Sequence, residues 1–484
     1  MQRIKDHRIY THHEREFDRG EPLQIRFEGY RLKAFSKEPV AIALYANGVR
    51  TAARSMKYHR PRGLFCLAGR CMSCLARVDG LPNVRTCHVA CRDGMVVQRE
   101  NAVPQATDDL LHTIDFLFPR HFNYQEMFTK PQWANKLLQK SVRHFAGLGD
   151  LPDRETPVPP LREKSVEVAV IGGGPAGLEA ALAAAATGAK VALFEDAPEV
   201  GGHFTGWPEP VDGLADGPAW VRDRRAALDR AGVEVVTAAE CVGYYREGFW
   251  AIHHQGGLIL LTARRTILAT GAYDQPPLFP NNDLPNIFSS RGLLKLIHRW
   301  GICPAVSCTI LGADDAALSL AERLPQIGVR VLGLVTAETK IAGDRDRAEK
   351  VQTSGVPIFL GYRVTRAIGN FHLKGLRLEP TDGGEPIELR SDLVCASLPP
   401  APSWELAAQA GAKAISHPEQ HGFLVEADRA GRTGRADLFV TGEMLGAASP
   451  AETAARGRRT GLAAGLDLHP DETRQAELNR LLEN

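Results

Sequence analysis

Five of the nine cysteines fall within 26 consecutive positions near the N-terminus: Cys66, Cys71, Cys74, Cys87 and Cys91. The first four have the spacing Cys-x4-Cys-x2-Cys-x12-Cys, in which three thiolates come from one tight loop and the fourth from a neighbouring strand. Four thiolates suffice for two irons, so we predict one plant-type [2Fe-2S] cluster. Zinc is the alternative metal, although zinc sites favour two short-spaced pairs. Cys91 is the alternative fourth ligand.

A glycine-rich turn follows an apolar segment and precedes a helical pattern, with Gly172, Gly174, Pro175, Ala176 and Gly177 in sequence. Such glycines let the backbone approach a pyrophosphate at the positive end of a helix. Eighteen residues after the last of them, Glu195 ends the next apolar segment, where a carboxylate accepts hydrogen bonds from a ribose. These residues predict a dinucleotide site.

The dinucleotide could be FAD or NAD on the motif alone. Two later features, Gly201-Gly202 and the segment ending in Thr270-Gly271, are typical of flavoproteins that contain two dinucleotide-binding domains. They favour FAD. In a second strand-turn-helix pattern, Asp314 stands where the second glycine belongs, and its charge and bulk would repel a pyrophosphate. We therefore expect this second site to bind no nicotinamide nucleotide.

The elements that must position these residues change character along the chain. Residues 23–97 alternate in polarity between turn signals, with one helical stretch at 36–47, and residues 166–195 and 306–335 each follow a βαβ pattern. We predict an α/β protein with an N-terminal ferredoxin-like β-grasp domain and two doubly wound, glutathione-reductase-like domains. The predicted domains are 1–105 for the cluster, 106–164 for a connecting segment and Pro-rich linker, 165–285 with 390–484 for FAD, and 286–389 for the degenerate second domain.

Composition excludes several classes of protein. The 484 residues carry a net charge of +1 with no long charged block, which argues against nucleic acid as a partner. The apolar fraction of 44% and charged fraction of 24% are those of globular domains. We find no stretch apolar enough to span a membrane and no secretory signal, so the expected compartment is the cytoplasm.

Several segments resemble one known family, the α subunits of heteromeric sarcosine oxidase and their relatives in opine oxidase, hydrogen cyanide synthase and dye-linked proline or hydroxyproline dehydrogenases. They are residues 46–50, 54–63, the cysteine loop and 87–95, and the flavoprotein part resembles the family over 165–470. The resemblance adds Gly442 and Glu443 to the expected flavin contacts, with Glu443 replacing the family's usual aspartate. The family's folate-binding domain has no counterpart before Asn484, so coupling to tetrahydrofolate is not expected.

The resemblance implies an oxidoreductase acting on CH-NH or CH-NH2 donors, in which this chain carries electrons and a partner oxidises the amine. The implied partner is an FAD-containing, amine-oxidase-like β subunit, with room for further small subunits and for FMN at a subunit interface. No residue of this chain is assigned a catalytic role, and the basic segment 54–63 is expected to face a partner, to tune the cluster or to form a solvated surface. The alternatives are an NAD(P)H-dependent reductase that feeds an oxygenase, and a non-catalytic scaffold.

Overall fold

A computed structural model describes residues 6–10, 16–55, 58–102 and 158–483, together with Trp133. The chain divides into two compact units, Met1–Thr156 with Pro276–Leu398 and Pro157–Gln275 with Pro399–Asn484. Most of the predicted connecting segment, 106–164, lies outside the described residues. The other predicted domain boundaries stay predictions.

The described residues form both strands and helices. The strands are β1 Pro22–Phe27, β2 Tyr30–Phe35, β3 Ala53–Arg54, β4 Pro61–Arg62, β5 Leu75–Val78, β6 Leu81–Arg85, β7 Val96–Gln98, β8 Leu161–Ile171, β9 Val191–Phe194, β10 Glu234–Val236, β11 Ala239–Tyr244, β12 Trp250–His254, β13 Gly257–Leu268, β14 Ala272–Tyr273, β15 Ile287–Ser289, β16 Ser307–Leu311, β17 Arg330–Thr336, β18 Ile358–Leu360, β19 Tyr362–Gly369, β20 Leu373–Pro380, β21 Ile387–Leu389, β22 Leu393–Ala396, β23 Ala401–Pro402, β24 Ala414–His417, β25 Gly422–Val425 and β26 Leu438–Val440. The α-helices are α1 Val40–Ala46, α2 Pro175–Ala185, α3 Gly217–Arg230, α4 Ser290–Leu294, α5 Asp315–Arg323, α6 Arg345–Thr353, α7 Glu405–Gln409, α8 Pro450–Leu466 and α9 Glu472–Glu483. The α/β fold class is confirmed.

The N-terminal part of the first unit is a five-stranded mixed sheet, in the order β2-β1-β7-β5-β6. Each of its two hairpins, β1-β2 and β5-β6, has a two-residue turn, Glu28-Gly29 in the first and Asp79-Gly80 in the second. Both residues of each turn have positive φ, the geometry of two-residue hairpin turns. Every residue of α1 is buried, and the chain leaves this helix through Gly48 at φ +87°. The helical stretch predicted at 36–47 is therefore shorter in the structure, since it begins at Val40.

The second part of the first unit contains a five-stranded parallel sheet, in the order β15-β22-β16-β17-β18. Helix α5 connects β16 to β17, which confirms the βαβ pattern predicted over 306–335. A three-stranded antiparallel sheet, β19-β20-β21, packs its apolar side chains against the parallel sheet in one core. This is the doubly wound arrangement expected for the region.

The second unit is built on a sheet in the order β10-β9-β8-β13-β12-β11, with β26 paired to β13. Strand β8 begins at Leu161, inside the predicted linker, because residues 161–165 pair in parallel with 258–262 of β13. The expected start at Val166 was therefore wrong by five residues. Helix α2 also begins earlier than expected, at Pro175, since proline suits the first turn of a helix.

Helices α2 and α8 of the second unit pack so closely that the backbone of one contacts the backbone of the other. A Cβ at Gly457 or Gly461 of α8 would lie 2.1 or 2.2 Å from a carbonyl oxygen of α2. The close contact fixes the start of α2 relative to the sheet. Among the described helices, none is both long and apolar enough to cross a membrane.

Candidate cofactor sites

The glycine-rich turn of the second unit lies between the end of β8 and the start of α2. Gly172 has φ +108°, and a Cβ there would meet the carbonyl oxygen of Ala269 at 2.3 Å. A Cβ at Gly177 would lie 1.9 Å from the carbonyl oxygen of Gly172. These two glycines are required by the packing of the turn itself.

Gly174 differs, because a Cβ built on it has no atom within 4 Å. It is the N-cap of α2, and no side chain caps the amides of this helix. Gly201 donates to the carbonyl of Gly173 at 2.7 Å, and a Cβ at Gly202 would lie 3.1 Å from the Cα of Gly174. The two glycine segments thus border one open, uncapped helix N-terminus, which fits the pyrophosphate of a dinucleotide.

Glu195 is 6% exposed and supports the turn through its carboxylate. Its Oε2 accepts a hydrogen bond from the Gly173 amide at 2.5 Å, and its Oε1 accepts one from the Ala197 amide at 3.0 Å. Burial, reinforced by the charge of Asp196, raises the pKa of Glu195 to about 8. Its expected hydrogen bond to a ribose stays a prediction.

The remaining expected flavin residues lie beside the same turn. Thr441 donates its amide to the Leu268 carbonyl at 3.0 Å, which brings the segment containing Gly442 next to the end of β13. A Cβ at Gly442 would lie 2.8 Å from the Cβ of Ala176. Thr270, adjacent to Gly271, donates its hydroxyl to the Met444 sulfur at 3.3 Å. The predicted residues that follow strands β8, β9, β13 and β26 therefore lie beside one another.

Two polar groups within this segment are withdrawn from solvent. Glu443 is 4% exposed, and the Oγ1 atom of Thr441 is buried without a hydrogen-bond partner among the described residues. Buried polar atoms are nearly always satisfied, so the hydroxyl of Thr441 fits a polar cofactor beside it. Our sequence analysis missed Thr441, although its position directly before Gly442 was available as a signal.

The corresponding turn of the first unit is closed by a side chain. Asp314 is the N-cap of α5, and its Oδ1 accepts hydrogen bonds from the Ala317 amide at 2.8 Å and from the Ser397 hydroxyl at 2.7 Å. A carboxylate of the chain itself therefore occupies the anion-binding end of this helix. This capped helix end supports the expectation that the second site binds no nicotinamide nucleotide, which stays a prediction.

The four predicted cluster ligands form two thiol pairs. A hydrogen bond between Cys66 and Cys71 raises the pKa of Cys66 and lowers the pKa of Cys71 to about 6. A second bond, between Cys74 and Cys87, lowers the pKa of Cys74 and raises that of Cys87. Two thiols for each of two irons fit a [2Fe-2S] cluster. Among the described residues, no three His, Cys, Asp or Glu side chains are positioned to hold a single metal ion.

Cys91 lies apart from these pairs, in the apolar core of the N-terminal sheet. It is 2% exposed, and burial raises its pKa to about 12. The cluster loop also directs an amide toward sulfur, since Ala68 donates to the Cys66 sulfur at 3.4 Å. These positions support Cys87 rather than Cys91 as the fourth ligand, and the assignment stays a prediction.

The cluster loop packs against the second part of its own unit, a contact that our sequence analysis missed. The carbonyl of Phe65 accepts hydrogen bonds from the Ser289 amide at 3.2 Å and hydroxyl at 3.3 Å. A Cβ at Gly292 would lie 2.2 Å from that carbonyl oxygen, and a Cβ at Gly63 would lie 2.7 Å from the Pro285 Cα. The backbone beside Cys66 is thus held at close range.

The basic segment 54–63 is partly turned inward. Arg54 and His59 are each 2% exposed, and Arg54 donates to the His59 carbonyl at 2.7 Å. Arg60 and Arg62 lie 3.7 and 3.8 Å from the carboxylate of Asp283 in the same unit. A solvated face is therefore wrong for Arg54 and His59, and the expected roles of the other residues, toward a partner or the cluster, stay predictions. Lys57 lies outside the described residues.

Comparison with protein families assigns both cofactor regions. Residues 20–102 match the 2Fe-2S iron-sulfur cluster binding domain, and residues 166–460, more than half of the chain, match the pyridine nucleotide-disulphide oxidoreductase family. The chain belongs to the pyridine nucleotide-disulphide oxidoreductase family. This oxidoreductase fold indicates FAD as the dinucleotide, together with a [2Fe-2S] cluster in the N-terminal domain. The predicted FAD and [2Fe-2S] cluster are confirmed, and FMN at a subunit interface stays a prediction.

Curated relatives of this pyridine nucleotide-disulphide oxidoreductase include subunits of two oxidases. It is 28% identical over 434 residues to the alpha subunit of sarcosine oxidase from Rhizobium meliloti (strain 1021), covering 84% of this chain and 43% of the relative. It is 26% identical to an opine oxidase subunit from Agrobacterium tumefaciens (strain Ach5), covering 64% of this chain and 68% of the relative. The chain spans less than half the length of the sarcosine oxidase relatives that it matches. The predicted family resemblance is confirmed.

Among solved structures, the fold is similar to that of L-proline dehydrogenase from P. horikoshii. The TM-score is 0.65 at 20% identity, with 96% of this chain and 78% of the other covered. This similarity extends the fold match across both the cluster domain and the dinucleotide-binding domains.

Proposed function

We propose that the chain is the electron-transferring FAD/[2Fe-2S] subunit of a heteromeric amine or amino-acid dehydrogenase or oxidase. In this proposal, a partner flavoprotein subunit, FAD-containing and amine-oxidase-like, oxidises the amine. The relatives support it through their names, which are those of subunits of sarcosine oxidase and opine oxidase. The proposal makes this chain a subunit of an oxidoreductase that acts on CH-NH or CH-NH2 donors.

One observation carries the proposal: a single chain combines an uncapped dinucleotide turn with two thiol pairs, in which Cys66, Cys74 and Cys87 are buried and Cys71 is partly buried. Gly174 leaves the N-terminus of α2 open, whereas Asp314 caps the N-terminus of α5. One helix N-terminus is thus open to a dinucleotide and the other is filled by the chain's own carboxylate. This asymmetry favours electrons that arrive from a partner over hydride that arrives from a nicotinamide nucleotide.

The chain's own residues then bind and orient the carriers. Gly172, Gly174 and Gly177 would bring backbone amides to the pyrophosphate, Glu195 would hold the turn and face the ribose, and the two thiol pairs would each bind one iron. When bound, FAD accepts two electrons together and a [2Fe-2S] cluster passes one at a time, so the pair converts hydride transfer into single-electron steps.

The amine proposal is tested by steady-state dye reduction with the purified, cofactor-loaded chain. The donors are sarcosine, proline, hydroxyproline, glycine and an opine, each measured with and without the protein encoded by a neighbouring amine-oxidase-like reading frame. We expect no turnover by the chain alone and turnover with the partner. A rate of about 1 per second or faster without any second polypeptide would place the amine site on this chain and overturn the proposal.

The competing function is an NAD(P)H-dependent reductase that feeds an oxygenase. The doubly wound fold of residues 276–398 is the observation that favours it, since such folds often bind nicotinamide nucleotides. Anaerobic mixing of the chain with NADH or NADPH separates the two functions. Slow or absent bleaching of the flavin supports the subunit proposal. Complete bleaching within the time of one catalytic cycle of a reductase supports the reductase.

A further inference from the structure

The second unit contains a cavity away from the glycine-rich turn. Its volume is about 540 Å³, and it lies between the β24–β25 hairpin and the first turns of α8. One side is apolar, formed by Ile415, Leu424, Val425 and Leu445. Cavities of about 300–1,000 Å³ with an apolar lining and a few polar groups are typical of small-molecule sites.

The other side of the cavity carries more positive than available negative charge. Glu452 uses one oxygen, Oε1, to accept hydrogen bonds from Arg456 Nε at 3.1 Å and from Arg459 Nη2 at 2.7 Å. Two guanidinium groups therefore share one carboxylate. Arg429, exposed at the same cavity, adds a third cation.

The other two carboxylates at the cavity are already engaged. Glu426 pairs with Lys413 at 2.7 Å, and Asp428 Oδ1 accepts hydrogen bonds from the amides of Ala430 and Arg432, each at 2.9 Å. Glu426 is neutralised by its lysine, whereas the amides leave the charge of Asp428 in place, so the three arginines that line the cavity face the two charges of Asp428 and Glu452. An anion entering the cavity would balance the excess positive charge.

Arg459 is the most buried of the three arginines that line the cavity. Its side chain is only 11% exposed, against 19% for Arg456, and Arg429 is exposed. Because little solvent reaches this guanidinium, its attraction for a carboxylate in the cavity is screened less than that of an exposed arginine.

We propose that this cavity binds a small organic carboxylate with an apolar body, its carboxylate on Arg459 and its body against Ile415, Leu424 and Leu445. An inorganic anion would use the arginines but not the apolar wall. A neutral apolar molecule would use the wall but leave the excess positive charge unbalanced. Only a ligand with both parts matches both sides of the cavity. None of the residues that line the cavity is itself an expected dinucleotide contact.

Arg459 is the residue to change, because Arg456 has a second structural role. Arg456 Nη1 donates to the carbonyls of Gly442 and Gly446 at 3.0 and 2.8 Å, so it also holds the turn that contains the expected flavin contacts. Arg458 provides a matched control on the same helix. Its side chain is 52% exposed and pairs with Glu477, away from the cavity.

The test is isothermal titration of the FAD-loaded, full-length chain with benzoate, benzyl alcohol and inorganic phosphate. We expect benzoate to bind with one site per chain and the other two probes to bind at least tenfold more weakly. Arg459→Gln should weaken benzoate binding at least about tenfold, the effect of losing a charged hydrogen bond, while Arg458→Gln leaves it unchanged.

Three results would overturn the proposal: no benzoate binding at 10 mM, equal binding of benzyl alcohol or phosphate, or equal affinities of the two glutamine variants. If Arg459→Gln does not fold, Ala427→Trp replaces it, since Ala427 lines the cavity and a larger side chain there fills the space. This variant should abolish benzoate binding while its far-UV circular dichroism matches the wild type. Benzoate binding retained by the folded variant would also overturn the proposal.

Discussion

Replacing Gly174 by aspartate should eject the dinucleotide and leave the protein folded. Gly174 has φ −70° and ψ −177°, and Asp314, at the corresponding position of α5, has φ −87° and ψ 177°. Nothing lies within 4 Å of a Cβ at Gly174. The aspartate can therefore adopt the cap that Asp314 makes, and exchanging glycine for aspartate at an N-cap changes helix stability by only a few tenths of a kcal/mol.

The effect on dinucleotide affinity has two parts. A carboxylate about 4 Å from a phosphate repels it by about 4 kcal/mol at an effective dielectric constant of about 20. The cap also takes an amide that the phosphate would otherwise use, a charge-assisted hydrogen bond worth about 1.5–3 kcal/mol. The sum of about 5.5–7 kcal/mol corresponds to a loss of affinity of four to five orders of magnitude.

The assay measures released flavin and iron per chain after gentle purification, together with the thermal unfolding midpoint. Gly174→Asp should lose the flavin, keep its iron and unfold within a few degrees of wild-type protein freed of flavin. Gly434→Asp is the control, because Gly434 also has open space around it and lies in an exposed turn of the same unit. Full flavin content in Gly174→Asp, or equal flavin loss in the control, would refute the reasoning.

Further substitutions address the other sites. Cys87→Ser should abolish the iron signal, whereas Cys91→Ser should keep about two irons per chain. Cys91→Ser should also lower the unfolding free energy by about 1–2 kcal/mol, because it buries a hydroxyl in the apolar core. Equal iron loss in the two variants would contradict the ligand assignment. Gly292→Val should push the Phe65 carbonyl away and reduce iron but not flavin content, and unchanged iron would show that this contact is dispensable. In flavin-free protein, Glu195 binds its proton more tightly in the folded state than in the unfolded chain, because folding raises its pKa to about 8. Protonated Glu195 therefore stabilises the folded state below pH 4.5, and this stabilisation is lost as the pH rises through about 8. Glu195→Gln should flatten this part of the stability profile in denaturant titrations, and an unaltered profile would contradict the sign.

Local patterns made much of the fold predictable. The turns at Glu28-Gly29 and Asp79-Gly80 contain glycines at positive φ, a conformation that glycine adopts readily whatever surrounds it. The glycine-rich turn was recognisable from its spacing, and its packing leaves no space for a Cβ at Gly172 and Gly177. The early start of β8 was not predictable in this way, because its polar residues 161–165 are ordered by pairing with a distant strand.

The contacts around the cluster loop depend on distant parts of the chain. Phe65 and Ser289 are 224 residues apart, and neither residue type signals the hydrogen bonds between them. Likewise, nothing in the basic segment 54–63 indicated that Arg60 and Arg62 would both lie within 4 Å of Asp283. A single sequence shows the charges but not the acceptors that the fold brings to them.

The second doubly wound domain has a physical role that does not require a nucleotide. Asp314 closes its helix N-terminus, yet the same domain supplies Ser289 and Gly292 to the backbone of the cluster loop. The contact lies directly before Cys66 and leaves no space for a Cβ at Gly292. A shift of this domain by a few tenths of an ångström would therefore move the backbone next to a predicted iron ligand. Holding that backbone is a sufficient structural reason to retain the domain, even though the side chain of Asp314 fills the place where a pyrophosphate would bind.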